Sequence, residues 1–351
     1  MKINALMSGG LGEAPARAAA ARDSGYDGLE SFELQHDPFL LAALAAGGAP
    51  GLDYGTSIAV AFARSPMTVA YSAWDLQALT GGRFQLGLGS QVKAHIERRF
   101  SMPWSHPAAR MREYILSLRA IWASWQDGAK LDFDGEFYRH TLMTPMFSPG
   151  PLPSGPPRVL LAAVGDAMTR VAGEVADGLI AHSFTTRRYI REVTLPTLQT
   201  GLDRGGRDRK DFDLVYAPFV VTGTDEKEMA ASAAAARERI AFYASTPSYR
   251  GVLELHGWGD LQTSLNALAR QGKWQEMGGL IDDGMLAEFA VITPLGELPA
   301  AYANWVGGLA DRTSFTPPEG LDADVARELI SSIRANAAKV AAGAVGREVV
   351  A

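Results

Sequence analysis

The chain has 351 residues, 47% of them apolar, and its 33 basic and 39 acidic side chains give a net charge of −6. This length allows one α/β barrel with insertions or two average domains. The weak negative charge argues against a nucleic-acid partner or an anionic membrane surface. There are no cysteines, which excludes disulfides, thiolate nucleophiles and cysteine-bound metals.

The histidines lack the HxH or HxxxH spacing that is typical of metal sites, so we predict that the protein binds no metal. They are His36, His95, His106, His140, His182 and His256. The apolar run at residues 3–7 is too short for a signal peptide, and no segment is apolar over a membrane-spanning length. These features predict a cytoplasmic protein without a membrane partner.

Strand-like and helix-like segments alternate from the N-terminus, which is typical of a parallel sheet covered by helices. The predicted strands occupy residues 3–7, 26–32 and 52–62, and the predicted helices occupy residues 15–24, 38–46 and 66–79. Pro66 suits the start of the third helix, because its missing N–H would have no partner in a first turn. The pattern predicts three successive β/α units.

A fourth strand at residues 84–88 runs into the glycine-rich turn Gly87-Leu88-Gly89-Ser90, and a strongly amphipathic helix follows at residues 110–125. Backbone at such a strand end can approach a ligand closely, because glycine has no side chain in the way. The apolar face of the helix is typical of core packing. This stretch predicts a ligand-binding strand end supported by scaffold.

Residues 127–157 break the alternation. A short hairpin is predicted at residues 132–138, and six prolines between Pro145 and Pro157 exclude a helix or a central strand there. A long ordered excursion of this kind is typical of a lid or a binding loop. Candidate walls of a substrate pocket are this excursion and the aromatic residues Trp104, Phe137 and Tyr138.

Alternation resumes with predicted strands at residues 158–164, 178–183, 212–221 and 309–315, separated by helices. A helical insertion is predicted at about residues 225–290. Eight strands with helical crossovers predict an α/β fold, a single (β/α)8 TIM barrel over residues 1–351 with these two insertion segments. A doubly wound sheet is the structural alternative, although Gly9-Gly10-Leu11-Gly12 lacks the spacing of a dinucleotide-binding GxGxxG motif.

Several motifs, in order along the chain, resemble the luciferase-like monooxygenase superfamily, and most closely its branch that uses the deazaflavin coenzyme F420. They are Gly81-Gly82-Arg83-Phe84 with Leu86-Gly87-Leu88-Gly89-Ser90, Arg99-Phe100-Ser101-Met102-Pro103-Trp104, Arg110-Met111-Arg112-Glu113-Tyr114, Ala172-Gly173-Glu174-Val175-Ala176-Asp177-Gly178 and Asp311-Arg312. The resemblance implies a bacterial luciferase-like barrel, a cofactor lying across the carboxyl ends of its strands, and a homodimer.

Carried onto this chain, the family pattern places the cofactor ring against Ser57-Ile58, where family members often have a non-prolyl cis peptide bond. The phosphate region of the cofactor would lie at two loops, Gly89-Ser90-Gln91-Val92 after the fourth strand and Gly165-Asp166-Ala167-Met168 after the fifth. Amides at a helix N-terminus bind an anion without needing a basic side chain.

Ser90 stands where family members that bind phosphate at the first loop commonly have an arginine, which favours F420 over FMN. Arg98 and Arg99 are candidates for the missing charge, and a surface role is the alternative for both. Two aspartates, Asp166 and Asp37, are predicted to be helix caps rather than ligands.

The candidate acid–base residues are Glu33 and His36, which follow the second strand, and His182, which ends the sixth. Some F420 enzymes of the family carry an Asp-His pair after the second strand. Here Leu34 takes the place of that histidine, so His36 would have to reach in from two residues later. Further candidates on the substrate side are His95 and His256.

The resemblance implies an F420-dependent oxidoreductase that passes a hydride between the deazaflavin C5 atom and an organic small molecule. Two alternatives stay open. One is an FMN-dependent monooxygenase that uses O2 and a separate reductase, and the other is a non-catalytic cofactor-binding protein. Neither the substrate nor the direction of hydride transfer can be read from the sequence.

Overall fold

Eight parallel strands close into a barrel in the computed structural model, which describes residues 1–318 and 320–348. The strands are β1 Lys2–Met7, β2 Gly28–Ser31, β3 Asp53–Thr56, β4 Phe84–Gly89, β5 Arg158–Ala163, β6 Gly178–Ala181, β7 Asp213–Tyr216 and β8 Arg312–Ser314. Each strand pairs with the next along the chain, and β8 returns to β1 with Thr313 opposite Ile3. The predicted (β/α)8 barrel is confirmed.

Helices cover the outside of the barrel. They are Ala14–Asp23, Pro38–Gly48, Pro66–Leu79, Lys93–Arg98, Pro107–Gln126, Asp166–Val175, the continuous run Arg187–Tyr189, Ile190–Thr194 and Leu195–Gly205, then Leu298–Val306 and Ala323–Glu348. Asp37 caps the second of these helices as predicted, because its carboxylate accepts from the N–H groups of Phe39 and Leu40.

The chain after β7 leaves the barrel and forms a helical insertion with its own apolar core. Its helices are Glu226–Ala244, Arg250–Leu255, Gly259–Arg270, Trp274–Gly278 and Asp283–Phe289. A short parallel pair, Phe219–Val221 with Ala290–Ile292, forms the two ends of the insertion. Phe184, which follows β6, is fully buried in this second core. The insertion therefore sits at the carboxyl end of the barrel, beside β6 and β7.

The excursion at residues 127–157, between the helix Pro107–Gln126 and β5, lies on the outside of the barrel. Its hairpin pairs Phe133–Asp134 with Arg139–His140, close to the predicted position. Glu113 on the neighbouring helix accepts three backbone N–H groups of this hairpin, and Tyr71 donates to the Phe147 carbonyl at 2.6 Å. These contacts lay the excursion against two helices of the outer layer.

Three predicted elements differ from the structure. The third strand is interrupted at Ser57-Ile58 and resumes as Ala59–Val60, paired with β4. The predicted seventh strand, residues 212–221, is divided into β7 and Phe219–Val221, because the second part pairs with Ala290–Ile292 outside the barrel. The predicted polar turn after β4 contains the six-residue helix Lys93–Arg98.

Candidate functional site

The carboxyl ends of β3 and β4 bring two of the predicted cofactor segments into contact. The peptide bond between Ser57 and Ile58 is cis, as the family pattern predicts. The Ser57 N–H donates to the Ser31 carbonyl at 2.6 Å. A Cβ added to Gly89 would lie 2.8 Å from Ile58 Cδ1, so the Ile58 side chain packs directly on the Gly89 backbone. Ser57, Ile58 and Gly89 form one continuous wall at the mouth of the barrel.

Glu33 anchors this wall from the neighbouring loop. One oxygen of its carboxylate accepts from the Val60 N–H at 2.8 Å and from the Arg64 guanidinium at 2.7 Å. Arg64 also donates to Asp37 at 2.8 Å, which ties the loop after β2 to the segment after β3. A carboxylate held by a charge-assisted bond and a backbone bond is well suited to positioning the backbone around Ile58.

The loop after β2 leaves its histidine at the rim. His36 is exposed, and Leu34 beside it is 64% exposed. The Leu34 carbonyl accepts from the Arg99 guanidinium at 2.8 Å, so this arginine fastens the loop from the outside. Arg98, the other candidate for a phosphate-binding charge, is exposed. The structure does not bring His36 together with the Ser57-Ile58 wall.

The loop after β4 is stabilised by its own polar groups. The Ser90 hydroxyl donates to the Gln91 carbonyl at 3.1 Å, and the Gln91 side-chain carbonyl accepts from the Val92 N–H at 2.9 Å. Gln91 has a φ of +60°, a left-handed conformation that reverses the chain before the next helix. These bonds fix the shape of the loop and use the Val92 N–H.

The loop after β5 offers open donors. The helix Asp166–Val175 begins there, and the N–H groups of Asp166, Ala167 and Met168 have no acceptor within the described residues. Gly165 is exposed, with no heavy atom within 4 Å of a Cβ added there. Unpaired amides at the positive end of a helix are suited to bind an anion, so this loop stays a candidate for the phosphate of a cofactor.

The prediction that Asp166 caps this helix is wrong. Gly165 occupies the cap position in extended backbone with no side-chain cap, and Asp166 is the first helical residue. An acidic side chain in the first turn still interacts favourably with the helix dipole. Because no side chain caps this helix, its first N–H groups stay accessible to solvent. A capping side chain would have accepted hydrogen bonds from one or two of them.

His182 lies directly after β6, between two tyrosines of the insertion. Its ring centroid is 4.5 Å from that of Tyr243 and 4.9 Å from that of Tyr249. Its Nδ1 accepts from the Phe184 N–H at 2.9 Å, which leaves the proton on Nε2. Burial, and secondarily the positive charge of Arg239, lower the pKa of His182 to about 4. The ring is therefore a neutral hydrogen-bond donor at pH 7.

An apolar groove of about 470 Å³ opens beside this histidine, and we call it the insertion groove. It is lined chiefly by Glu238, Arg239, Phe242, Tyr243, Trp274 and Met277. The sequence analysis missed these residues. The available signal was the pair Phe242-Tyr243, two large aromatic residues near the end of an otherwise alanine-rich helix.

Glu30 is a second residue that the sequence analysis missed. This buried carboxylate on β2 accepts from the Asn4 side-chain amide and from the Ser314 hydroxyl, both at 2.7 Å. The signal was an acidic residue inside a strand that is otherwise buried. The three side chains link β1, β2 and β8 across the barrel interior below the mouth.

The remaining candidates lie in separate places. His256 is bonded through Nε2 to the Thr186 hydroxyl at 2.8 Å, and His95 is exposed on the short helix after β4. Trp104 packs edge-on against Phe62, with ring centroids 5.7 Å apart. Phe137 and Tyr138 belong to the hairpin on the outer layer, and neither lines the insertion groove.

Two structural searches bear on ligand and membrane chemistry. Within residues 1–318 and 320–348, no group of three or more histidine, cysteine, aspartate or glutamate side chains is arranged to hold a metal ion. Over the same part of the chain, no helix combines the length and the apolar character needed to cross a membrane.

Comparisons with known proteins place these features in context. A family model described as "Luciferase-like monooxygenase" matches residues 4–312. The Mycobacterium tuberculosis protein named "Uncharacterized protein Rv1360" is 52% identical over 312 residues, which cover 89% of this chain and 92% of that protein. The "Putative coenzyme F420-dependent oxidoreductase Rv3520c" of the same organism is 26% identical over 307 residues, covering 82% and 85%.

The fold also matches a solved structure, the coenzyme F420 dependent tetrahydromethanopterin reductase from Methanopyrus kandleri. The TM-score is 0.75 at 17% sequence identity, over 94% of this chain and 96% of that chain. At this identity the match supports the shared barrel architecture.

Proposed function

The chain belongs to the luciferase-like monooxygenase family, and from this premise we propose that it is an oxidoreductase that uses coenzyme F420. The observation that carries the proposal is the open amide cluster at Asp166–Met168, on the same end of the barrel as the Ser57-Ile58 wall. It suits a phosphate, and Ser90 leaves the neighbouring loop without an arginine. The relative and the solved structure that are described as F420-dependent support the same cofactor.

The residues at the mouth have distinct roles in this proposal. The Ser57-Ile58 wall would support the cofactor ring, and the Gly89 backbone would allow its close approach. The amides of Asp166, Ala167 and Met168 would hold the phosphate. The bound deazaflavin would supply hydride chemistry: the substrate gains a hydride and a proton while the cofactor loses two electrons, or the reverse.

We assign the contact with a reacting oxygen or nitrogen to His182 rather than to His36. His182 lies at a strand end between Tyr243 and Tyr249, whereas His36 is exposed at the rim. With Nδ1 occupied by the Phe184 N–H, the ring presents Nε2–H as a donor of fixed orientation. A neutral histidine of this kind polarises a carbonyl group or orients a hydroxyl group, and the proton itself would come from solvent.

The other predicted residues take supporting roles. Glu33 would hold the wall in place through Val60 and Arg64, and Gln91 would shape the loop beside the cofactor. A homodimer stays a prediction.

The proposal is tested by cofactor binding. Purified protein is titrated with F420 and, in parallel, with FMN, and binding is followed by quenching of cofactor fluorescence. We expect saturable binding of F420 with a dissociation constant at least about tenfold lower than that for FMN, since the strand-four loop lacks a basic side chain. Tight FMN binding with no F420 binding would overturn the proposal and favour the FMN-dependent monooxygenase.

Turnover separates an enzyme from a non-catalytic cofactor-binding protein. The absorbance of oxidised F420 is followed while a panel of alcohols, aldehydes and conjugated carbonyl compounds is added, with reduced F420 in a matched series. Cofactor turnover with at least one compound supports the oxidoreductase. Oxygen uptake that depends on reduced FMN would instead identify a monooxygenase.

A further inference from the structure

The insertion groove exposes two large aromatic side chains side by side. Phe242 is 53% exposed and Trp274 is 51% exposed, and their ring centroids are 6.0 Å apart at an angle of 45°. Neighbouring apolar surface of this kind on a folded protein marks a binding surface more often than isolated exposed residues do. At about 470 Å³, the groove is within the range of pockets that bind organic molecules of moderate size.

The groove contains one arginine without a protein partner. Arg239 makes no hydrogen bond or ion pair with the residues that the structure describes, and its guanidinium lies 5.4 Å from the centroid of the Phe219 ring. Two residues earlier on the same helix, Arg237 is engaged by the Ile281 carbonyl and the Asp283 carboxylate. An arginine that lies over an aromatic ring, with its N–H donors unpaired, is suited to bind a carboxylate, sulfonate or phosphate group.

The charges around the groove are not equivalent. Glu238 also lines it, but its side-chain stem packs toward Gly278, whereas Arg239 packs on Phe219, which follows β7. Arg239 is exposed, and its positive charge adds to the effect of burial in lowering the pKa of His182. Lys273 is engaged with Glu276 at 3.3 Å. The charge nearest the proposed reaction centre is therefore positive.

The groove and the proposed active site share a wall. Tyr243 lines the groove, and its ring lies edge-on against His182 with centroids 4.5 Å apart. A molecule seated in the groove is therefore separated from the His182 region by one aromatic side chain. Phe219 and His182 follow adjacent strands, and the Tyr243 ring contacts both of their rings.

We propose that the insertion groove binds an organic anion with a flat, apolar body, at a site that Tyr243 separates from His182. The body would lie against Phe242 and Trp274, and the anionic group would pair with Arg239.

The test uses two fluorescent probes that share an aromatic body and differ in charge. They are 1-anilinonaphthalene-8-sulfonate, which is an anion, and the neutral N-phenyl-1-naphthylamine. Both are titrated into the wild-type protein and into Arg239→Gln, Phe242→Ala and Lys227→Gln. Lys227 is exposed on the same helix outside the groove, so Lys227→Gln controls for the loss of one positive charge.

We expect Arg239→Gln to weaken binding of the sulfonate about tenfold and of the neutral probe less than about twofold, since one charge-assisted contact is lost. Phe242→Ala should weaken both probes, and Lys227→Gln neither. Equal binding of the sulfonate by the wild-type protein and Arg239→Gln would overturn the anion site. Circular dichroism and thermal unfolding of each variant confirm that the fold is intact.

F420 binding is measured on the same samples, which separates this inference from the proposed function. Groove variants that lose the sulfonate but keep wild-type F420 affinity support an anion site distinct from the cofactor site. If the protein binds the sulfonate through Arg239 but binds no F420, the anion site stands and only the proposed function is overturned.

Discussion

The two ends of the barrel differ in how far their polar and charged groups are paired. At the amino ends of the strands, charged side chains are paired with one another across neighbouring strands. At the carboxyl ends, polar groups are left with unused bonding capacity: three backbone amides after β5, the Nε2–H of His182 and the guanidinium of Arg239. In barrels of this type the first end carries stability and the second carries function, and this chain shows the division in its hydrogen bonds.

The amino end is held by a chain of ion pairs between the first residues of the strands. Arg312, which is buried, donates to Asp53 at 2.8 Å and to Asp213 at 3.2 Å, and these are joined by Lys2 and Arg158. Burial disfavours the charged form of Asp53, but bonds from Lys2 and Arg312 outweigh it and hold its pKa below the usual value. Every charge in this network has a partner, so little is left to bind a ligand.

The largest expected loss of stability comes from a substitution on β4, between the two ends of the barrel. A Cβ added to Gly87 would lie 1.8 Å from the Thr56 carbonyl oxygen, whereas one added to Gly89 meets only the movable Ile58 side chain. We expect Gly87→Ala to destabilise the protein by more than about 4 kcal/mol and Gly89→Ala by about 1 kcal/mol. Soluble yield and urea unfolding measure both. Equal stabilities would show that the barrel wall can widen at this height.

The next effect tests the paired end. Arg312→Met removes the shared cation and leaves two aspartates partly buried without it, so we expect a loss of about 3–5 kcal/mol in unfolding free energy. Lys210→Met, which breaks an exposed pair with Asp208, is the control and should leave the stability close to that of the wild type. Urea unfolding gives both values. If the stabilities of the two variants match, the ion-pair network is not what stabilises this end.

The third prediction concerns the open end and its pH dependence. The pKa of His182 is about 4 in the native state. Between pH 6.5 and pH 4, this histidine therefore binds a proton in the unfolded chain but not in the native protein. The unfolding free energy therefore falls as pH drops from about 6.5 to about 4, and His182 contributes about 1–3 kcal/mol of that fall.

His182→Gln should flatten the pH dependence by that amount, as measured by urea unfolding at several pH values. His256→Gln provides a comparison, since burial lowers the pKa of His256 as well but its ring lies outside the groove wall. An unchanged slope in His182→Gln would mean that the ring takes up a proton equally in the native and unfolded states, against a buried ring that stays neutral.

The smallest expected effect tests the amide cluster directly. Ala167→Glu adds an acidic side chain in the first turn of the helix. Its interaction with the helix dipole would stabilise the protein by about 0.3–1 kcal/mol, but its negative charge would repel a phosphate. We expect F420 affinity to fall about tenfold while stability is kept. Ala338→Glu, on an exposed position of the last helix, makes the same charge change elsewhere. Equal F420 affinities of the two variants would remove the amide cluster from the cofactor site.

Most strands and helices of the barrel could be predicted from the sequence, because the patterns that specify them span only a few residues. The alternation of apolar strands and helices predicted all eight strands, and Asp37 before Pro38 predicted a helix start that the structure contains. The candidate site was predicted less completely. The family pattern predicts cofactor-binding residues next to strand ends, such as Ser57-Ile58 and Gly165–Met168, and their role stays a prediction. Arg239 and Trp274 were missed, because they lie on helices far along the chain and meet only through packing of the insertion.

The sequence by itself determined the order of elements, the family and the end of the barrel where a cofactor would bind, since periodicity, caps and strand-end glycines act over a few residues. Only the tertiary structure decided which polar groups are used and which are left open. Glu33 is engaged with Arg64, whereas Arg239 has no hydrogen-bond or ion-pair partner among the described residues, and both facts depend on residues distant in sequence. The physical reason is that hydrogen bonds and burial are properties of neighbours in space, which local patterns do not specify.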